Sequence, residues 1–231
     1  MKTTLAALFS FALSAGIASA ATITVEAFDG NSYGNGFGTG AFVGENFEAA
    51  GTAQGEGEVG LNFSTSVGVF NTAGGTGSGG TVTQLPGNTG QFLALRDGNV
   101  FGRTDQVGGT YFLDSNDTLG INWFASTGSM FNTVMFVLTD HGEFSELTVN
   151  AGGASEAISG LRGSTSQLVT IVYDTPQSSA LITLDQARND GFSIDGAQVG
   201  LAPVPLPASG LLLLAGIGGI AVARRRGRAK A

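Results

Sequence analysis

The chain has 231 residues and no cysteine, which excludes disulfides, thiolate metal sites and cysteine nucleophiles. Six of its ten basic residues lie at the ends, Lys2 at the start and Arg224, Arg225, Arg226, Arg228 and Lys230 at the close. Between them, four arginines against eighteen acidic residues leave a lysine-free body at −14, a field that repels nucleic acid because phosphate binding needs a basic footprint.

In chain order, Met1-Lys2 opens a positive start and Leu5 to Ala18 is an uncharged, alanine-rich apolar run. Ala18-Ser19-Ala20 supplies the small residues that a signal peptidase accepts at its −3 and −1 positions, so residues 1–20 are predicted to be a helical secretory leader. The mature chain is then expected to begin at Ala21.

The body, residues 21–202, reads as one all-β domain. Short β-rich runs alternate with glycine, asparagine, aspartate and serine. Thr22–Ala27, Ser66–Phe70, Gln91–Leu95 and Ala180–Leu184 are candidate strands. Leu119, Ile121 and Trp123 alternate with Thr118, Gly120 and Asn122, the period-2 mark of a half-buried strand; Leu147 and Val149, and Phe192 and Ile194, repeat it. Val134–Leu138 and Leu168–Tyr173 are nearly continuous apolar runs, expected to be central strands. Asn71–Thr81 and Asp29–Gly40 are glycine-rich loops. Many short strands between turn signals predict an antiparallel, jelly-roll-like β-sandwich.

Catalytic chemistry is thinly supplied. His141 is the sole histidine and sits in the turn-like Thr139-Asp140-His141-Gly142-Glu143, with no partner motif for a triad or a metalloprotease helix. Glu45, Glu48, Glu143, Glu146, Asp174 and Asp185 could in principle pair for glycoside hydrolysis, but their facing geometry is not legible in sequence. Trp123 is the only tryptophan available for sugar stacking. Tyr33, Tyr111, Trp123 and Tyr173 are the candidates for an aromatic platform, against the ordinary alternative that each fills the core.

Oxygen-rich loops point to calcium as the cation to consider, since it accepts six to eight oxygen ligands. Asp114-Ser115-Asn116-Asp117 separates two strands, and Asn189-Asp190-Gly191 with Asp195 precedes the last. The competing reading is that these residues simply form turns through side-chain to backbone hydrogen bonds. By similarity to jelly-roll carbohydrate-binding modules, a glutamate near the first strand and an aspartate near the last would share a structural Ca2+. Glu45 or Glu48, with Asp195, would take those parts.

The C-terminal segment, 203–231, has three parts in order. Val204-Pro205-Leu206-Pro207-Ala208 is kept extended by its prolines. Leu211–Ala223 is a thirteen-residue uncharged run, and counting from Leu206 gives eighteen, near the lower limit for a transmembrane helix. Arg224, Arg225, Arg226 and Arg228 then form a membrane stop that holds the end in the cytoplasm. This segment resembles the VPLPA-CTERM variant of the PEP-CTERM sorting signal. The resemblance implies that Val204–Ala208 is recognised by an exosortase, that Leu211–Ala223 is a transient anchor, and that the body is released to the outer surface or extracellular matrix of a Gram-negative bacterium. Tyr111–Asp117 and Asp190–Gly196 also look like segments of jelly-roll bodies in exosortase-sorted proteins. The leading expectation is therefore a non-catalytic surface or matrix protein, associated with envelope or exopolysaccharide and processed by signal peptidase and exosortase. The alternative is a carbohydrate-binding module, and a glycan-cleaving enzyme ranks third.

Overall fold

Alternating apolar residues put one face of each strand against a partner sheet, and the computed structural model realises this as two stacked antiparallel sheets. It describes residues 20–30, 33, 41–75, 88–100, 102–104, 106–139, 147–158, 166–186 and 191–202. The leader with Ala18, the sorting motif Val204, Pro205, Leu206, Pro207 and Ala208, the apolar run and Arg224, Arg225, Arg226 and Arg228 lie outside the described residues. So do Asp190, His141, Glu143 and Glu146. Among the described residues no helix is long and apolar enough to cross a membrane.

The elements in chain order are β1 (Ala21–Ala27), β2 (Phe42–Glu45), α1 (Glu48–Gln54), β3 (Gly57–Glu58), β4 (Phe63–Thr65), β5 (Gly68–Thr72), β6 (Ala94–Asp97) and β7 (Tyr111–Asp114). They continue with β8 (Gly120–Ala125), β9 (Phe131–Thr139), β10 (Leu147–Ala151), β11 (Ala154–Ile158), β12 (Ser166–Gln177), β13 (Ala180–Gln186) and β14 (Ser193–Gly200). Eight strands form the first sheet in the order β1-β12-β9-β14-β7-β6-β3, with β2 also paired to β14. Six form the second, in the order β11-β10-β13-β8-β5-β4.

The core lies between the sheets. Ile23, Ile171, Val134 and Val199 share one row of the first sheet and point inward. Phe70, Trp123, Ile182 and Val149 answer from the second. Trp123 stacks on Phe70 at 5.0 Å and meets Phe136 edge-on at 6.0 Å, and Phe131 meets Tyr173 edge-on at 6.2 Å. Such offset and edge contacts suit the ring quadrupoles and tie the layers together.

Several expectations shift. The strand read over Ser66–Phe70 is broken, because Ser66-Val67 is the turn joining β4 to β5. Leu119 lies outside β8 and is exposed. The body is mostly but not wholly β, since α1 interrupts it. The run Val134–Leu138 is central, as expected, and buried on both faces apart from Met135. Leu168–Tyr173 is interior to the sheet, between β1 and β9, but is fully buried on one face only, with Val169, Ile171 and Tyr173 inside and Leu168, Thr170 and Val172 half-buried.

Candidate functional site

Asp114 ends β7, and the turn after it holds Asn116 and Asp117 at φ 58° and 54°. Asn and Asp tolerate this left-handed conformation better than most residues, which suits them to so tight a corner. The corner aims its carboxylates inward. Arg103 Nη1 donates to both Asp114 oxygens at 2.9 and 3.0 Å, and its Nη2 donates to Asp117 at 2.9 Å. Arg96 Nη2 donates to Asn116 Oδ1 at 2.9 Å, with its Nε 3.9 Å from Asp114. All four charged groups are buried. Gly191 completes the fit, since a Cβ there would come within 1.8 Å of Arg103 Nη2. Asp114 and Asp117 thus close on guanidinium rather than forming an open oxygen cup.

The other predicted ligands fasten separate loops. Glu45 accepts from the Phe47 N–H at 2.8 Å and from the Ser66 N–H and hydroxyl at 3.2 and 3.0 Å. Glu48 accepts from the Thr110 and Tyr111 N–H groups at 2.7 and 2.6 Å. Asp195 accepts from the Gln106 and Val107 N–H groups at 2.7 and 2.8 Å, and from Gly196 N–H at 2.6 Å. Among the described residues no three His, Cys, Asp or Glu side chains gather in a way that would hold a metal ion. Glu58, which the sequence did not single out, joins the Asn116 corner. It accepts from Gln91 N–H at 3.1 Å, Asn116 Nδ2 at 3.0 Å and the Thr89 hydroxyl at 2.7 Å. Burial would raise its carboxyl, but these hydrogen bonds outweigh burial and hold it below the usual range.

None of the four aromatic candidates stands open: Trp123 and Tyr173 enter the core, Tyr33 is buried over the outer face of the first sheet, and Tyr111 is partly buried. Trp123 is fully buried and its indole N–H donates to the Val67 carbonyl at 3.1 Å. Tyr33 donates its hydroxyl to the Gly196 carbonyl at 2.6 Å, and burial raises its phenol. Tyr173 is fully buried; its phenol is pushed up to about 12 by burial and has no hydrogen-bond partner among the described residues. Tyr111 lies against Gly51 of α1, where a Cβ would come within 2.1 Å of the ring.

Among the described residues the open aromatic is Phe124, and it stands on the outer face of the second sheet. Phe124 of β8 and Leu181 of β13 are direct cross-strand partners, 51% and 52% exposed. Val69 of β5 continues their row on the other side of Phe124. Two residues further along the strands runs a polar row: Asn71, Asn122, Thr183, Asn150 and Ser155, from five adjacent strands. Asp185 stands in the next row and accepts from Asn150 Nδ2 at 3.0 Å and from the Thr183 hydroxyl at 3.3 Å. The Gly152-Gly153 turn joins Leu181, Thr183, Asn150 and Ser155 around a shallow concavity of about 300 Å3. An apolar stripe therefore lies beside a band of amide and hydroxyl groups. Strands about 4.8 Å apart space these groups at roughly the width of a pyranose ring. The arginines among the described residues, Arg96 and Arg103, are both buried.

The sequence carried a signal for this face. Phe124 and Leu181 occupy the polar phase of their strands, alongside Asn122 and Thr183, and so point away from the core.

No family model matches the sequence, and none of the curated proteins does. Among solved structures, the chain is similar to a family 35 carbohydrate binding module from Clostridium thermocellum. Identity is 15% and the TM-score 0.33, with 48% of this chain and 88% of that chain covered.

Proposed function

We propose that the body is a non-catalytic glycan-binding module whose ligand lies on the outer face of the second sheet. The observation that carries this reading is the exposed Phe124–Leu181 pair beside the Asn71–Asn122–Thr183–Asn150 row. A sugar ring has an apolar face of C–H groups and a rim of hydroxyls. The stripe suits the first and the amide row the second. Asp185 stands on this face and the body is strongly acidic, which favours neutral glycans over uronates or sulfated chains.

The carboxylates considered for hydrolysis support binding better than cleavage. Glu45 and Glu48 hold backbone N–H groups of their own loops, and Asp185 lies on the open face among amides, while Asp174 belongs to β12 of the other sheet. The leader and the sorting-like tail support delivery of this module to the cell exterior, with exosortase processing at Val204–Ala208 and a place on the surface or in the exopolysaccharide matrix.

A glycan array probed with the purified protein tests the reading. Retention on one or more neutral polysaccharides is expected, together with loss of that retention in Asn122→Ala and Asn150→Ala. Retention confined to anionic glycans, or unchanged in both variants, would refute the assignment of this face.

A further inference from the structure

The two ends of the sandwich expose different chemistry. Thr22, Val172, Thr133, Gly200 and Phe42 share one row across five strands of the first sheet. β1 starts beside this row and β14 finishes on it, so Ala20 and Ala202 leave the body from the same end. The 126–130 turn from β8 to β9 closes that end as well. Of seven exposed large apolar side chains among the described residues, five stand here: Val43, Phe124, Met130, Leu181 and Leu201. Phe124 and Leu181 belong to the outer face of the second sheet. Val43, Met130 and Leu201 form the rim itself, and Met130 and Leu201 are 51% and 43% exposed.

Charge is nearly missing from this end. Among the described residues, segments 41–44, 66–68, 125–131, 151–154, 174–181 and 198–202 build it, and they contain one charged residue, Asp174; Glu45 borders it, its carboxylate tied down by Ser66. The opposite end holds Arg96, Arg103, Asp114, Asp117 and Glu58. In a body at −14, this sparsely charged end is the one that can approach an anionic lipid surface with least repulsion.

The exit of the chain is also fixed. Buried Asn132 donates Nδ2 to the Ala202 carbonyl at 2.8 Å and accepts from the Ala202 N–H at 2.8 Å. From this clamp, residues 203–210 lead to the apolar run Leu211–Ala223, a reach of at most about 28 Å when fully extended.

We infer that this end is a lipid-docking surface, with Val43, Met130 and Leu201 set into the headgroup boundary of the bilayer that holds the tail. The inference rests on the membrane reading of that tail. Exposed apolar side chains at such a boundary leave water while the polar backbone stays hydrated. A short tether holds its ends at an effective concentration in about the millimolar range, so a weak contact suffices to orient the body. The strands then stand along the membrane normal. A glycan crossing the strands of the second sheet would lie parallel to the membrane.

The cysteine-free chain allows a direct test. Met130→Cys and Leu201→Cys, each in the full chain, are labelled with an environment-sensitive fluorophore. The labelled chains are reconstituted from detergent into phosphatidylcholine vesicles with a minor share of phosphatidylglycerol. Leu119→Cys, exposed at the opposite end, is the control. The probes at 130 and 201 are expected to shift to the blue and to lose most of their emission to nitroxide-labelled lipid, while the probe at 119 stays aqueous. If the chain floats with the vesicles and the first two probes remain aqueous, the docking surface is refuted and the tail reading stands. If all three are quenched alike, end-on docking is refuted. A chain that does not float overturns the tail reading and the docking with it.

Discussion

The outer faces of the two sheets carry similar apolar residues and treat them in opposite ways. On the first sheet, Val137 faces away from the core and is nonetheless fully buried, because Tyr33 and Val107 pack over it with Met135 and Leu168 alongside. Asp195 holds the Val107 loop by two backbone N–H groups, and Arg103, four residues earlier, is ion-paired to Asp114 and Asp117. On the second sheet, Phe124 and Leu181 are left half in water. An outward apolar residue covered by its own chain is part of a core. One left uncovered beside a row of hydrogen-bonding groups is a surface for something else.

Removing the latch on the covered side has the largest expected effect. Arg103→Ala leaves two buried carboxylates without their fork of donors and is expected to cost about 3–5 kcal/mol in urea unfolding. Lys at this position cannot reproduce the planar three-bond contact and rescues little. Val137→Ala, under the cover, is expected to cost about 2 kcal/mol and to leave glycan affinity unchanged. Phe124→Ala is its mirror image, with stability held within about 0.5 kcal/mol on denaturation. Equal destabilisation by the two would erase the contrast between the faces.

Acid extends the comparison to the Asn116 corner. Glu58 titrates below its ordinary value when folded and near about 4.3 when unfolded, so its contribution is complete above that pH. The contribution is lost as pH falls through the folded value. Glu58→Gln should flatten this part of the acid unfolding curve. The smallest effect belongs to Tyr173. Its folded pKa of about 12 against about 10 unfolded means that its contribution is full below about pH 10 and is lost between those values. Tyr173→Phe removes that alkaline loss and, by removing an unpaired buried hydroxyl, should gain about 1 kcal/mol at neutral pH.

Alternation marks the strand at Leu147 and Val149; at Phe192 and Ile194 it marks a strand too, but β14 begins at Ser193 and is buried on both faces. α1 was not legible, because Glu48-Ala49-Ala50-Gly51-Thr52-Ala53-Gln54 offers no apolar stripe, and its place is set by Gly51 meeting Tyr111 and by Glu48 reaching the Thr110 loop. β2 and β3 were missed as short pieces defined by their neighbours. Asp114 and Asp117 read in sequence as calcium ligands or turn formers, whereas their partner in the fold, Arg103, is eleven and fourteen residues away with no motif to join them. Residue type alone points to Trp123 and the tyrosines as the sugar-stacking aromatics. Phase was the better guide, since Trp123 points inward and Phe124, its neighbour, points out.

The most direct measurement is calorimetric titration of one array-identified neutral oligosaccharide into the native protein, Phe124→Ala and Val137→Ala. A loss of at least about tenfold in affinity, or about 1.4 kcal/mol, is predicted for Phe124→Ala, with native affinity in Val137→Ala. Native affinity in Phe124→Ala would contradict a ligand site on the outer face of the second sheet.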